Sequence, residues 1–202
     1  VRDYALSASG LLSTKIGGPS VKPYQPAGVW EAVAMIGSNT RDYRRDSGES
    51  LYRRSMYTFW KRSAPPASMD IFNAPSREFC TVQRERTNTP LQALVTLNDP
   101  QFVEAARVLA QHTLKNGGKT DADKANFIAM HLLSRPFREN ERPIVESSLA
   151  DLLAYYKANP ADAAKLLAVG ESKRDELLDP ATHAAWTMLT NQLMNLDEVL
   201  NK

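Results

Sequence analysis

From Pro100 onward, apolar residues recur every three or four positions, the spacing that lays a stripe along one face of an α-helix. Phe102, Ala105, Ala106, Leu109 and Thr113 form the first stripe, and the Gly117-Gly118 pair just beyond it marks a stop. The same spacing predicts a helix over residues 122–134 with Phe127, Met130 and Leu133 together, and one over 143–157 with Val145, Leu149, Leu152 and Tyr156 aligned. A shorter helix is predicted over 161–168. A last one should run from Asp179-Pro180 to about Leu200, with Ala185, Leu189, Leu193, Leu196 and Leu200 on its stripe. Thr89-Pro90 and Asp99-Pro100 repeat the start signal of Asp179-Pro180: a side chain able to cap, then a proline whose missing N–H costs nothing in the first turn.

The first half of the chain has a different texture. Seven of the twelve prolines fall at or before Pro90 and six of the nine glycines at or before Gly48, so long regular elements are not expected there. Residues 1–9 read as a helix stopped by Gly10, and residues 16–26 as a loop that Val21 and Tyr24 could anchor. A short helix over 27–35 would turn Val29, Trp30 and Val33 inward. Residues 51–62, rich in Tyr, Met, Thr, Phe and Trp, carry the strongest strand signal and 79–86 a weaker one. Because the prolines at 65 and 66 cannot continue a central strand, a small antiparallel pair joined by a long loop is expected. The predicted fold is mainly α: a helical bundle with a small antiparallel β element and a long irregular N-terminal half. It forms a single domain over 1–202, with an irregular, β-containing lobe over 1–88 and a helical lobe over 89–202.

Composition narrows the function classes. With 43% hydrophobic and 24% charged residues in 202, the chain can bury a sizeable core. Its apolar runs are broken well before the ~20 residues a membrane-spanning helix needs. The net charge of +2 is divided unevenly: 13 basic and 9 acidic side chains in residues 1–100, against 12 and 14 in 101–202. Cys80 is the single cysteine, which excludes an internal disulfide, a multi-cysteine zinc site and a Cys-x-x-Cys-His haem attachment. The opening Val1-Arg-Asp-Tyr has neither an initiator methionine nor a signal-peptide pattern, so a fragment of a longer protein is expected.

Candidate chemistry is sparse. On a strand, Arg84, Arg86 and Asn88 would share one side, with Arg77 and Glu78 nearby. Such a floor could grip an anionic or hydroxyl-rich ligand, because guanidinium planes match carboxylates bidentately. The competing reading is an internal Arg–Glu network with Asn88 or Thr89 capping a helix. Tyr57 and Trp60 lie among Tyr52, Arg53, Arg54, Phe59, Lys61 and Arg62, a mixture compatible with stacking on a glycan or on nucleic-acid bases. The weak net charge argues against nucleic acid, and a half-buried strand with its cations in solvent accounts for the same pattern. Glu78 and Glu85 are the one close carboxylate pair a glycosidase could use. His112, His131 and His183 fall on separate predicted helices and form no metal motif. Ser76 and Ser172 lack a nucleophile-elbow context. Cys80, between Phe79 and Val82, reads as a small buried hydrophobe. Asp121 and Asp123 read as a helix start rather than a calcium loop.

Several ordered blocks resemble one family. They include Ile16-Gly-Gly-Pro-Ser-Val-Lys-Pro-Tyr-Gln-Pro26, Leu51-Tyr-Arg-Arg-Ser-Met-Tyr-Thr-Phe-Trp-Lys-Arg62, Ala74-Pro-Ser-Arg-Glu78 and Arg86-Thr-Asn-Thr-Pro-Leu-Gln-Ala-Leu94, followed by Leu97-Asn-Asp-Pro-Gln101, Val169-Gly-Glu-Ser172 and Asn195-Leu-Asp-Glu198. Together they resemble the C-terminal domain of unknown function (PSD type) of planctomycete cytochrome-c-associated multidomain proteins. The resemblance implies an extracytoplasmic, periplasmic or secreted parent in which haem c is carried outside this chain, and in which the upstream domains are this domain's partners. It transfers no catalytic residue. The expectation is a non-catalytic scaffold or docking domain, with Arg77, Arg84, Arg86 and Asn88 as contact or organising residues. The alternative is a module that recognises or processes polysaccharide through Trp60 or Tyr57, with a glycan as a further partner.

Overall fold

The computed structural model describes residues 1–38 and 40–201. Helices dominate, and the chain divides into two compact units, residues 1–11 with 96–202 and residues 12–95. The second crossing between the units, after residue 95, falls inside a helix.

The larger unit is built around α4 (Pro100–Asn116). Residues 101–110 of this helix are buried without interruption, so this part of it is covered all round and not on one stripe. The expected face of Phe102, Ala105, Ala106, Leu109 and Thr113 is inside, but so are Val103, Glu104, Arg107, Val108 and Ala110. Around α4 pack α1 (Arg2–Ser9), α5 (Asp121–Leu132) and α8 (Pro180–Met194), and α8 is covered in turn by α6 (Arg142–Ala158) and α7 (Pro160–Leu167). Alanines 105, 106 and 110 on α4 and 184 and 185 on α8 are all fully buried, and their small side chains let the backbones approach closely. Trp186, Phe102, Leu109, Ile128 and Leu189 fill the remaining space.

The predicted starts hold. Asp99 accepts a hydrogen bond from Gln101 N at 2.9 Å, and Asp179 accepts one from Thr182 N at 2.8 Å. Thr120 and Asp123 close a capping box at the start of α5, the local reason for a helix at Asp121. α1 ends as expected at Gly10, whose φ of 78° lets its N–H turn back to the carbonyls of Leu6 and Ser7.

Two helical readings are corrected. In α5 the buried face is Ala125, Ile128, Ala129 and Leu132, while Met130 is exposed and Phe127 half-buried; of the predicted stripe, Leu133 alone is inside. The final helix stops at Met194 and a separate short turn, α9 (Asp197–Leu200), follows, leaving Leu196 40% exposed. Arg135 joins Glu141, just before α6, to Glu198 on α9 at 2.8 and 2.7 Å. The guanidinium and a backbone N–H from Arg138 hold the Glu141 carboxyl down at about 2.

In the smaller unit the expected antiparallel pair is not formed among the described residues. The stretch 51–62 instead contributes to two 3₁₀ turns, Gly48–Tyr52 and Ser55–Tyr57, and makes isolated bridges, parallel from Arg53 to Ser13 and from Thr58 to Val21 and antiparallel from Lys61 to Ala64. Residues 79–86 are irregular and largely exposed. Aromatic and β-branched residues favour a pleated, half-buried surface rather than the extended backbone as such, and no ladder partner reaches this run. The expected helix over 27–35 shrinks to a 3₁₀ turn at Glu31–Val33; Trp30 is buried, but Val33 is 47% exposed. Val21 is buried as anticipated. The smaller unit also holds α2 (Ala67–Ile71) and the start of α3 (Pro90–Asn98). There Thr89 and Gln92 exchange capping hydrogen bonds, Thr89 N to Gln92 Oε1 at 3.0 Å and Gln92 N to Thr89 Oγ1 at 3.3 Å.

Candidate functional site

The arginines singled out by the sequence do not form one floor. Arg77, with φ 65°, aims its guanidinium at the carbonyls of Thr58 and Met56, at 3.3 and 3.4 Å, and lies 5.0 Å from the Trp60 ring centroid. Arg84 donates to the carbonyls of Phe72 and Glu85 at 3.2 and 3.4 Å. Arg86 and Asn88 are exposed. Glu78 pairs with Arg62 at 2.5 Å, while Glu85 is exposed. Arg77 and Arg84 therefore tie loop backbone together, a folding role for two of the expected contact residues. Cys80 is exposed, not buried, with its neighbours Phe79 and Val82 also in solvent.

The aromatic residues are partly occupied by the protein. The Arg53 guanidinium stacks 3.9 Å from the Tyr57 ring centroid, and Tyr57 Oη accepts a hydrogen bond from Gly17 N at 2.9 Å. Arg53, expected in solvent, is 4% exposed and donates to the carbonyls of Pro19, Gly17 and Lys15 at 3.0, 2.5 and 3.3 Å. It is the post around which the Ile16-Gly-Gly-Pro19 loop is wound.

A denser polar centre, which sequence reasoning missed, lies inside the helical unit. Glu104 and Arg107 are fully buried one turn apart on α4. Glu104 Oε1 accepts hydrogen bonds from the backbone N–H groups of Glu171 and Ser172 at 2.8 and 2.6 Å, and Arg107 Nη2 lies 3.8 Å from the same oxygen. Arg107 in turn donates to Ser172 O at 2.6 Å, to Ser172 Oγ at 2.7 Å and to Val169 O at 3.3 Å. The two charges clamp the Val169-Gly-Glu-Ser172 loop from both of its backbone polarities, carboxylate to N–H and guanidinium to C=O. Gln111 and Lys115 extend the attachment on the same helix, Gln111 accepting from Asp175 N at 2.8 Å and Lys115 pairing with the Asp175 carboxylate. The one sequence signal was that Val169-Gly-Glu-Ser172 lies outside any helical stripe.

His183, on α8, is buried against this centre, and its Nε2 lies 3.2 Å from the Arg107 carbonyl. Donation to that carbonyl makes Nε2 the protonated nitrogen and leaves Nδ1 as a buried lone pair with no partner among the described residues. Burial, with the Arg107 charge adding to it, lowers the His183 pKa below its ordinary 6.5. The unfolded chain then takes up a proton near pH 6.5 that the folded chain refuses, so stability is fully present above that pH and falls as pH drops below it. The denaturation midpoint is expected to decline from pH 7.5 to 5.5, and His183→Gln should flatten that decline; an unchanged slope in the variant would refute it. His112 and His131 are exposed.

The described residues contain no group of three or more His, Cys, Asp and Glu side chains able to hold a metal ion, and none of their helices is long and apolar enough to cross a membrane. No arrangement of nucleophile, base and oxyanion donors emerges at Ser76, Ser172 or Cys80: Ser172 Oγ is held by Arg107, and Ser76 Oγ accepts from Glu78 N at 3.3 Å.

A family described as PSD1, protein of unknown function (DUF1553), matches residues 1–149. The match spans both the irregular blocks and the helices through the first two turns of α6; the Val169–Ser172 and Asn195–Glu198 blocks lie outside it. No curated protein and no solved structure matches the chain. The chain belongs to the PSD1 family of proteins of unknown function.

Proposed function

We propose that this chain is a non-catalytic docking domain of an extracytoplasmic, cytochrome-c-linked multidomain protein, whose upstream domains are its partner and whose haem c is held outside these residues. The observation that carries the reading is the amount of large apolar surface left in solvent on the smaller unit. Ile36, Met35, Phe79 and Val82 are 96, 80, 72 and 105% exposed, and Leu91 and Leu94 on α3 are 61 and 58% exposed. Side chains of this size, grouped in two loops and on one helix, lose free energy to water at roughly 25 cal/mol per Å² until something covers them. The helical unit adds an apolar groove of 290 Å³ lined by Phe137, Ile144, Leu189, Leu193 and Leu196.

The alternative of a polysaccharide-recognising module has less support. Its stacking candidate Tyr57 is already stacked by Arg53, and the Glu78 carboxylate is tied to Arg62. Hydrogen exchange on the isolated chain and on the full parent protein separates the two readings. Docking predicts that amides over residues 33–36 and 79–82 gain at least tenfold protection in the parent. Equal exchange in both, or turnover of a glycan or ester by the isolated chain that is lost in Arg84→Ala, would overturn it.

A further inference from the structure

The smaller unit holds a cavity of 520 Å³ whose wall is mostly polar, with Pro19 and Val21 as its apolar members. Cations line it from two segments, Lys15 from one and Arg45 and Arg53 from the other, together with the hydroxyl groups of Ser20, Ser47 and Ser50. Two carboxylates also reach it, and both already accept hydrogen bonds from the protein: Asp46 from Lys22 N at 2.7 Å and Glu49 from Ser13 Oγ at 2.6 Å. The side chains that line it leave an excess of one positive charge and include no aromatic ring.

The cavity is also held open by buried structure. Arg53 fixes the 15–19 loop through three carbonyls, and Asp46 N donates to Lys22 O at 2.9 Å while Asp46 accepts from Lys22 N, a reciprocal pair that fixes the facing segment. Val21 N donates to Tyr57 O at 2.8 Å beneath them. The guanidinium of Arg45 lies 4.7 Å from the Tyr24 ring centroid. A preformed recess lined by cations and serine hydroxyl groups loses little ordering entropy when it binds.

We propose that this recess binds a small polar molecule bearing an oxyanion group, with Lys15 and Arg45 meeting the anionic oxygens and the serine hydroxyls meeting its remaining oxygens. Charge-assisted hydrogen bonds of this kind are about twice as strong as neutral ones, and the volume falls within the range of small-molecule sites. The site is separate from the docking surface proposed above, so the failure of one reading leaves the other standing.

Sulfate, inorganic phosphate and glucuronate, each titrated against the 202-residue chain at fixed ionic strength in chloride, are the probes, with backbone amide shifts as the readout. Saturable shifts confined to residues 15–20 and 45–53 are expected for at least one probe, and the tightest identifies the source of the oxyanion as inorganic or sugar acid. Lys15→Ala combined with Arg45→Ala should weaken that binding at least tenfold. Both side chains are exposed, so an unchanged melting temperature is the check that the variant folds. Lys157→Ala, an exposed position on α6 in the other unit, should leave binding unaltered. Shifts that never saturate for any probe, or a double variant that binds as tightly as the parent chain, would overturn the proposal. If the double variant fails to fold, Lys15→Gln alone must still weaken binding several-fold for the proposal to stand.

Discussion

Glu104→Ala is expected to destabilise the helical unit by about 3–5 kcal/mol, the cost of removing one member of a buried charge pair. The loss has two parts. Arg107 would keep its full charge at zero exposure without the carboxylate 3.8 Å away. The N–H groups of Glu171 and Ser172 would lose the oxygen they share, and a hydrogen bond to a charged group contributes about 1.5–3 kcal/mol. For a chain of this length each kcal/mol lowers the melting temperature by roughly 2–4 °C, so a fall on the order of 10 °C by far-UV circular dichroism is the expected result. Glu104→Gln, which keeps an acceptor but not the charge, should recover part of the loss. If Glu104→Ala melts within about 2 °C of the parent chain, the clamp does not hold the loop as described.

The second large effect is expected at Gly170. Its φ of 92° lies in the region that L side chains rarely adopt, and a Cβ added there would lie 2.3, 2.5 and 2.7 Å from Cδ, Cγ and Cβ of Glu104. Backbone strain alone costs about 1–3 kcal/mol. Gly170→Ala must also push Glu104 off the two amides it serves, so a total of about 3 kcal/mol or more is expected, again read as a loss of melting temperature. Because both changes damage one clamp, the double variant Glu104→Ala with Gly170→Ala should lose less than the sum of the single variants, by about 0.5–3 kcal/mol. Strict additivity would mean that the two residues act through separate structures.

The helix starts were legible because a cap is a local device. Asp99, Thr89 and Asp179 each sit one residue before proline, and each makes its capping hydrogen bond within three residues of its own position. The inward face of α5 was not legible for an equally plain reason. Phe127, Met130 and Leu133 obey helical spacing, and so do Ala125, Ile128, Ala129 and Leu132. Periodicity permits either stripe inside. The neighbours choose, and they chose the one whose alanines admit α4 closely. Residues 51–62 show the same limit for strands: their β-propensity had no ladder to join, and a buried arginine stacked on tyrosine took over the organisation of the run.

The candidate sites follow this division. By itself the sequence determined a mainly helical chain, the starts of its principal helices, the largely irregular character of the lobe over 1–88 and membership of a family, because each is written in local spacing, capping chemistry or the order of blocks. Only the tertiary structure decided that Glu104 and Arg107, which a helix three residues apart could equally present to water, are buried and close on a loop some 65 residues later in the chain. It also decided that Lys15, Arg45 and Arg53 surround a recess while Arg77 and Arg84 brace backbone. The physical reason is the same in each case: burial and partnership are properties of what packs over a residue, and that neighbour is distant in sequence.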